Sequence, residues 1–236
     1  MGRAFEKRKH KMFARYDKMA KAFTKIGREI AISVKSGGPD PEYNPRLRVA
    51  IQNGKALNMP KDRLDSAIKK ASSKEESTFE ETYYEGYGPY GVAFVVETAT
   101  DNTTRTVANV RMYFNRGNGA LGKTGSLDFM FQRKGVFRIA KDKSINPDEL
   151  ELELIDFGLE NMEVDDEEVI IYVAYEDFGK MSKGLDDKKI PVKKSALERI
   201  PTTFVELNEE QQDEVLNLID RFEEDDDVQA VFHNLK

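Results

Sequence analysis

Residues 92–116 read VAFVVETATDNTTRTVANVRMYFNR. Val92-Ala93-Phe94-Val95-Val96 is an apolar run of strand length, rich in β-branched and aromatic residues, as a buried strand would be. Asp101 or Asn102 then supplies a side chain able to cap a helix. That helix should run to about Arg116 and place Val107, Val110 and Phe114 on one face. A buried strand feeding an amphipathic helix marks an α/β layer.

Working outward, residues 126–131 and 135–139 alternate as strands, giving an order β-α-β-β. Near the C-terminus Phe204-Val205-Glu206-Leu207 reads as a strand. Asn208 caps a helix that turns Val215, Leu218, Ile219 and Phe222 inward, and residues 228–232 form a closing strand. Between them, 147–158 reads as helix, 168–175 as strand, 177–189 as helix and 192–200 as extended. This order predicts two ferredoxin-like α/β sandwiches, one split around the other. Upstream, the polar segment 72–82 reads as a linker, preceded by helical patterns. The predicted class is therefore α+β: an N-terminal three-helix domain followed by two ferredoxin-like α/β domains, one inserted in the other. The boundaries are 1–78 for the basic helical domain, 79–140 plus 201–236 for the first α/β domain, and 141–200 for the acidic insert.

Charge divides the chain in the same way. The first 74 residues carry 19 Lys and Arg against 7 Asp and Glu, a net of +12. The remaining 162 carry 18 against 36, so the overall −6 conceals a polar molecule. A basic segment on an acidic protein points to a polyanion, most commonly a phosphate backbone.

Taken as a helix, residues 3–34 sort into two stripes. Arg3, Lys7, Lys11, Arg15, Lys18, Lys21, Lys25 and Arg28 fall within an arc of roughly 140°. Phe5, Met12, Tyr16, Met19, Phe23, Ile26, Ile30 and Val34 fall in a separate arc of roughly 80°. Arg8, Lys9 and Phe13 depart from the pattern. The helix should end at Ser36-Gly37-Gly38-Pro39. A second helix starts at Asn44-Pro45, an N-cap followed by proline at the first helical position, and should bury Leu47, Ala50, Ile51 and Leu57. A third starts near Pro60 with Leu64, Ala67, Ile68 and Ala71 apolar. Arg46, Arg48, Lys61, Lys69 and Lys70 extend the cationic set, and a merely solvated charged face is the competing reading. An anionic membrane surface fits poorly, because the apolar stripe is needed inside the bundle.

Composition narrows the chemistry. With no cysteine, disulfides, thiolate catalysis and cysteine-held metals are excluded. No run of about 18 apolar residues offers a membrane span, and the basic N-terminus has no apolar core of a secretory signal. A cytoplasmic location is expected. His10 and His233 lack ligand-like spacing, and the acidic runs 165–168 and 223–227 lack a calcium-loop pattern. No metal, cofactor or catalytic constellation is expected, and the chain reads as a non-enzyme.

Two glycine-rich segments remain. Residues 117–124, GNGALGKT, match the nucleotide-binding P-loop string in full. A working P-loop follows a strand and opens a helix, so that the helix N-terminus faces the phosphates. Here a helix precedes the loop and a strand follows. The string reads as an αβ connection, with Lys123 a candidate phosphate contact. Residues 83–91, YYEGYGPYG, interleave tyrosines with glycines. Tyr84, Tyr87 and Tyr90 are candidates for stacking on bases or filling a partner's pocket, against the alternative of rings packed on the sheet.

The segments FTKIGREI (23–30), NPRLRVAI (44–51), NMPKDRLDSAIKKA (58–71), YEGYGPYGVAFVVETATDNTTRTVANVR (84–111), GSLDFMFQRKGVF (125–137) and DDDVQAVFHN (225–234) resemble the YebC/PmpR family nearly end to end. The resemblance implies a helical domain and two α/β domains, one inserted in the other. It implies a probable transcriptional regulator that binds DNA in the bacterial cytoplasm. The likeness to mitochondrial translational activators and to ribosome-linked members implies the alternative, a translation factor on ribosomal RNA. The opening Gly2-Arg3-Ala4-Phe5-Glu6 departs from the family's usual Gly-His-Ser-Lys-Trp. The loop at Lys123-Thr124 departs as well, which leaves the P-loop match as local drift. Nothing in the chain clusters Asn, Gln and Arg at a helix start as a base-reading helix would. A protein adaptor using the acidic α/β face is a further reading.

Overall fold

The structure, a computed structural model, describes residues 3–73, 79–141 and 146–236, with side chains from residue 18 onward. It divides into two compact units, Met1–Glu76 and Ser77–Lys236.

The first unit contains α1 (Arg3–Gly37), α2 (Pro45–Ala56) and α3 (Lys61–Ala71). Asn44 organises the corner between α1 and α2. Its carbonyl oxygen accepts from the Leu47 amide at 3.0 Å, capping α2. Its Nδ2 donates to the carbonyls of Ser33 at 2.7 Å and Gly38 at 2.8 Å, closing the end of α1. A Cβ on Gly37 would lie 2.8 Å from this side chain, so the glycine makes room for the cap. Ile26, Ile30 and Val34 from α1 are buried, as are Leu47, Val49 and Ala50 from α2 and Leu64 and Ala71 from α3. Burying each large aliphatic side chain contributes about 1.5–3 kcal/mol. Leu57, expected inside, is exposed, and Val49 is buried in addition to the expected set. The cause is that α2 stops at Ala56, so Leu57 falls in the turn to α3.

The second unit runs β1 (Glu80–Tyr87), β2 (Ala93–Thr100), α4 (Thr103–Arg116), β3 (Ala120–Leu121), β4 (Phe131–Ala140), α5 (Pro147–Ile155), β5 (Leu159–Val164), β6 (Glu168–Ala174), α6 (Phe178–Asp187), β7 (Val192–Pro201), α7 (Glu209–Glu223) and β8 (Val228–His233). The strands form two antiparallel four-stranded sheets, ordered β3-β1-β2-β8 and β5-β6-β4-β7. The first sheet is assembled from both ends of the unit, and the second is contained between them. Helices α4 and α7 cover one face of the first sheet through Phe94, Val96, Val110, Phe114, Val215, Leu218 and Phe222. The Phe114 and Phe222 rings meet edge-on at 4.9 Å between centroids. The second sheet buries Phe137, Ile139, Val169, Ile171 and Val173 with Leu150, Leu154, Met181 and Leu185 from α5 and α6. On the other face of the first sheet lie Ala93, Val95, Leu127 and Phe131.

Four details differ from the sequence expectations. The strand at 131–140, assigned above to the first α/β domain, pairs with β6 and β7, so it belongs to the inserted sheet. The expected strand at 126–131 is a 3-10 turn, Asp128–Met130, leading into β4. The expected strand at 204–207 reduces to one bridge, Val205 with Leu235. Strand β5 lies in a stretch whose polarity gave no strand signal, because it is an exposed edge.

Candidate nucleic-acid interface

The cationic face of α1 is described only in part. The side chains of Arg3, Lys7, Lys11 and Arg15 lie outside the described residues, while the backbone there is helical. Lys18 is exposed, and Lys21, Lys25 and Arg28 are half-buried and already engaged in contacts. Opposite them Ile26, Ile30 and Val34 face the core, and Met19 and Phe23 are half-buried. Ala31, Ile32 and Ser33 are buried as well, so the last turns of α1 are enclosed beyond the apolar stripe.

The cations of α2 and α3 fall into two groups. Lys61 and Lys69 are exposed, and Arg46 and Lys70 are exposed and engaged. Arg48 is turned back onto its own corner, where Nε donates to the Pro41 carbonyl at 3.1 Å and Nη2 to the Glu42 carbonyl at 2.9 Å. It braces the loop before α2. Arg63 lies over the Phe23 ring, 5.8 Å from its centroid.

In the second unit the two glycine-rich segments meet. Tyr87 pairs with Ala120 and Gly86 with Leu121. Gly119 packs directly on the 87–88 backbone: a Cβ there would stand 2.4 Å from the Tyr87 carbonyl oxygen. The Gly122 amide donates to the Glu85 carbonyl at 2.7 Å. The Glu85 carboxylate is buried beneath the loop, and its Oε2 accepts from the Leu127 amide at 2.9 Å and the Ser126 hydroxyl at 3.3 Å. Its Oε1 is buried with no hydrogen-bond partner among the described residues. The loop is thus seated by a fixed carboxylate rather than by a helix N-terminus, and Lys123 stands exposed on it.

The four candidate contact residues there have different surroundings. Tyr84 is half-buried against the core of the first sheet. Tyr87 points to the other face, its hydroxyl 3.8 Å from Met130 Sδ, and leaves its ring exposed. Tyr90 has a positive φ of 59° and is exposed. A hydrogen bond to Glu214, then burial and the charges of Glu214 and Glu210, raise its phenol pKa above 10.0. Those carboxylates on α7 make its surroundings unfavourable for a phosphate. Phe129, not singled out from sequence, is 77% exposed one residue before Met130. Alternation had placed it in a strand, and only the Ser126–Asp128 turn chemistry hinted otherwise.

These features define a class: a cation-bearing helical unit joined to an α/β unit in which one sheet is inserted within another. The chain belongs to the TACO1/YebC family. Residues 3–74 match the description "TACO1/YebC protein N-terminal domain" and residues 79–235 match "TACO1/YebC second and third domain". A relative from Cytophaga hutchinsonii, named "Probable transcriptional regulatory protein", is 57% identical over 235 residues, covering 100% of this chain and 98% of the relative. One of the same name from Parabacteroides distasonis is 51% identical over 236 residues, covering 100% and 97%. The crystal structure of a conserved hypothetical protein, Aq1575 from Aquifex aeolicus, superposes with a TM-score of 0.82 at 38% identity, covering 92% of this chain and 90% of that one. Among the described residues no helix is long and apolar enough to cross a membrane.

Proposed function

We propose that the protein is a non-enzymatic nucleic-acid-binding regulator of gene expression that lays the cationic face of its helical unit along a phosphate backbone. The carrying observation is charge polarity: a net of +12 in the first 74 residues against −18 in the rest, with the apolar side of α1 committed to the bundle core. The names of the relatives support a role in transcription, hence DNA as the polyanion. The acidic α/β unit would be repelled by the same backbone and so orient the molecule.

Salt titration of duplex DNA binding tests this. If six to eight cations engage phosphates, the log–log slope is roughly −5 to −7. A slope near −1 overturns the reading. Reversal of three helix charges, Lys11→Glu, Lys18→Glu and Lys25→Glu together, abolishes binding while the fold survives.

A second reading, grip on ribosomal RNA by a translation factor, is favoured by one observation. Arg48, one of the two arginines in the first turn of α2, is turned back onto loop carbonyls. Base-edge readout in a major groove needs such residues turned outward, whereas phosphate contacts position without reading sequence. RNase-sensitive co-sedimentation with ribosomes supports this second reading, and a discrete promoter footprint at physiological salt supports the first.

A further inference from the structure

The acidic unit contains a stretch that breaks its own charge rule. From Asn102 to Leu127 there is no Asp or Glu, but there are Arg105, Arg111, Arg116 and Lys123. Arg105 is held by Asp227 and Asp101. Arg111, Arg116 and Lys123 are exposed, with no ion pair among the described residues.

The fold sets one of these cations, Lys123, on a loop that leads to exposed aromatic rings. Arg116 ends α4, and the loop that follows rests on the Tyr87-Gly88 backbone through Gly119. Lys123 lies on the same loop, two residues beyond Leu121, which is paired with Gly86. The chain then passes through Leu127, tied to Glu85, into the 3-10 turn that carries Phe129 outward and sets Met130 against the Tyr87 hydroxyl. Tyr87 is 44% exposed. The one carboxylate within this turn, Asp128, lies 3.9 Å from the Arg199 guanidinium, which partly offsets it.

We infer that this surface binds an unpaired nucleic-acid strand, with bases stacked on Tyr87 and Phe129 and a phosphate met by Lys123. Aromatic faces accept any base, and cations beside them follow the backbone; this pairing is how single strands are held without sequence reading. A duplex hides its base faces and gains nothing from the rings. The loop is held by Glu85 and by glycines packed on backbone, so little order has to be created on binding. The surface extends the nucleic-acid reading above but stands on different residues from the α1 face.

The test uses the full chain and fluorescein-labelled 12-nucleotide dT and rU strands beside a labelled 12-base-pair duplex, read by anisotropy. Tyr87→Ala with Phe129→Ala weakens single-strand binding roughly tenfold or more and leaves duplex binding within about twofold. Tyr87→Phe, which keeps the ring, retains the affinity. Lys123→Gln flattens the salt slope on the single strand by about 0.7. The triple reversal on α1 removes duplex binding and leaves a residual single-strand affinity sensitive to Tyr87. Single-strand affinity unchanged in the double variant overturns the proposal, as does an equal loss on strand and duplex. Failure of the α1 face alone shows instead in the triple reversal.

Discussion

Thr106 and Asp227 are hydrogen-bonded at 2.8 Å across 121 residues of chain. Asp227 sits at the foot of β8, almost wholly buried. It also accepts from Thr100 Oγ1 at 3.1 Å and from Arg105 Nη2 at 2.8 Å. The carboxylate clasps the late-arriving edge of the first sheet to the start of α4. Asp227 also raises the Arg105 guanidinium pKa above its usual value, mainly through these hydrogen bonds. Asp227→Ala should cost roughly 3 kcal/mol, because bonds to a buried charge are lost together and two hydroxyls stay behind. Asp227→Asn, which keeps an acceptor, should lose less. Urea denaturation of the full chain measures both, with the transition of the second unit the one to move.

The corner of the helical unit allows a sharper substitution. Asn44→Ala removes the α2 cap and leaves two carbonyls without their donor, for a loss of about 2 kcal/mol. Asn44→Asp keeps the acceptor for Leu47 but sets an oxygen against the Ser33 and Gly38 carbonyls. The aspartate variant should therefore be no more stable than the alanine one, although Asp is as good a cap as Asn on an isolated helix. Thermal melts followed by helical circular dichroism compare them, and an aspartate variant near the parent would contradict the corner's geometry.

Arg199 on β7 joins the two sheets. Its Nε donates to Glu97 on β2 at 2.8 Å, and its guanidinium lies 4.6 Å from the Tyr83 ring centroid. A double-mutant cycle with Arg199→Met and Glu97→Gln should return a coupling of about 1–3 kcal/mol. Arg199→Lys should not rescue, since lysine supplies neither the planar stack nor the fixed fork. Additivity of the two single changes would show that the pair contributes nothing.

Two half-buried rings set opposite pH limits. Burial foremost, and then Asp225, pushes the Tyr113 phenol up to about 12 from 10.0. The folded state therefore holds this proton more tightly, and its contribution is complete below pH 10 and lost as pH rises towards 12. For His233 burial lowers the pKa below 6.5, against a weaker opposing pull from a backbone hydrogen bond and Glu223. The unfolded chain then binds the extra proton first, so stability falls as pH drops below 6.5 and levels off once the folded ring also protonates. Stability curves of Tyr113→Phe and His233→Gln should be flatter on the alkaline and acid limbs respectively.

Much of this architecture could be read from the chain because the signals were local. Asn44-Pro45, Asn102 and Asn208 announced helix starts, and each proves to cap through its side chain. The run at 92–96 announced a buried strand. Pairing across distance was harder: nothing in residues 131–140 says which sheet they join, since both offer an apolar face. Exposed function was harder still. Phe129 looked like an inward strand residue because alternation cannot see a 3-10 turn. Arg48 looked like a phosphate contact because a sequence does not show a side chain folding back on its own loop. Tyr84, Tyr87 and Tyr90 look alike in YYEGYGPYG, yet the alternation of β1 and the positive φ at Tyr90 send them to three different surroundings.

The split first sheet has a consequence for synthesis. The Ala93 amide donates to Asn234, 141 residues later, and β2 keeps one edge bare until β8 is made. At about 5–20 residues per second that edge of Ala93–Thr100, which carries the apolar run 93–96, stays open for roughly 7–28 s on the translating ribosome. The inserted sheet has its full sequence by Pro201 and can form during that delay. A nascent chain stalled before residue 228 should therefore carry a folded second sheet beside an unfinished first one. Limited proteolysis of such arrested chains would cut at β2 and spare β4.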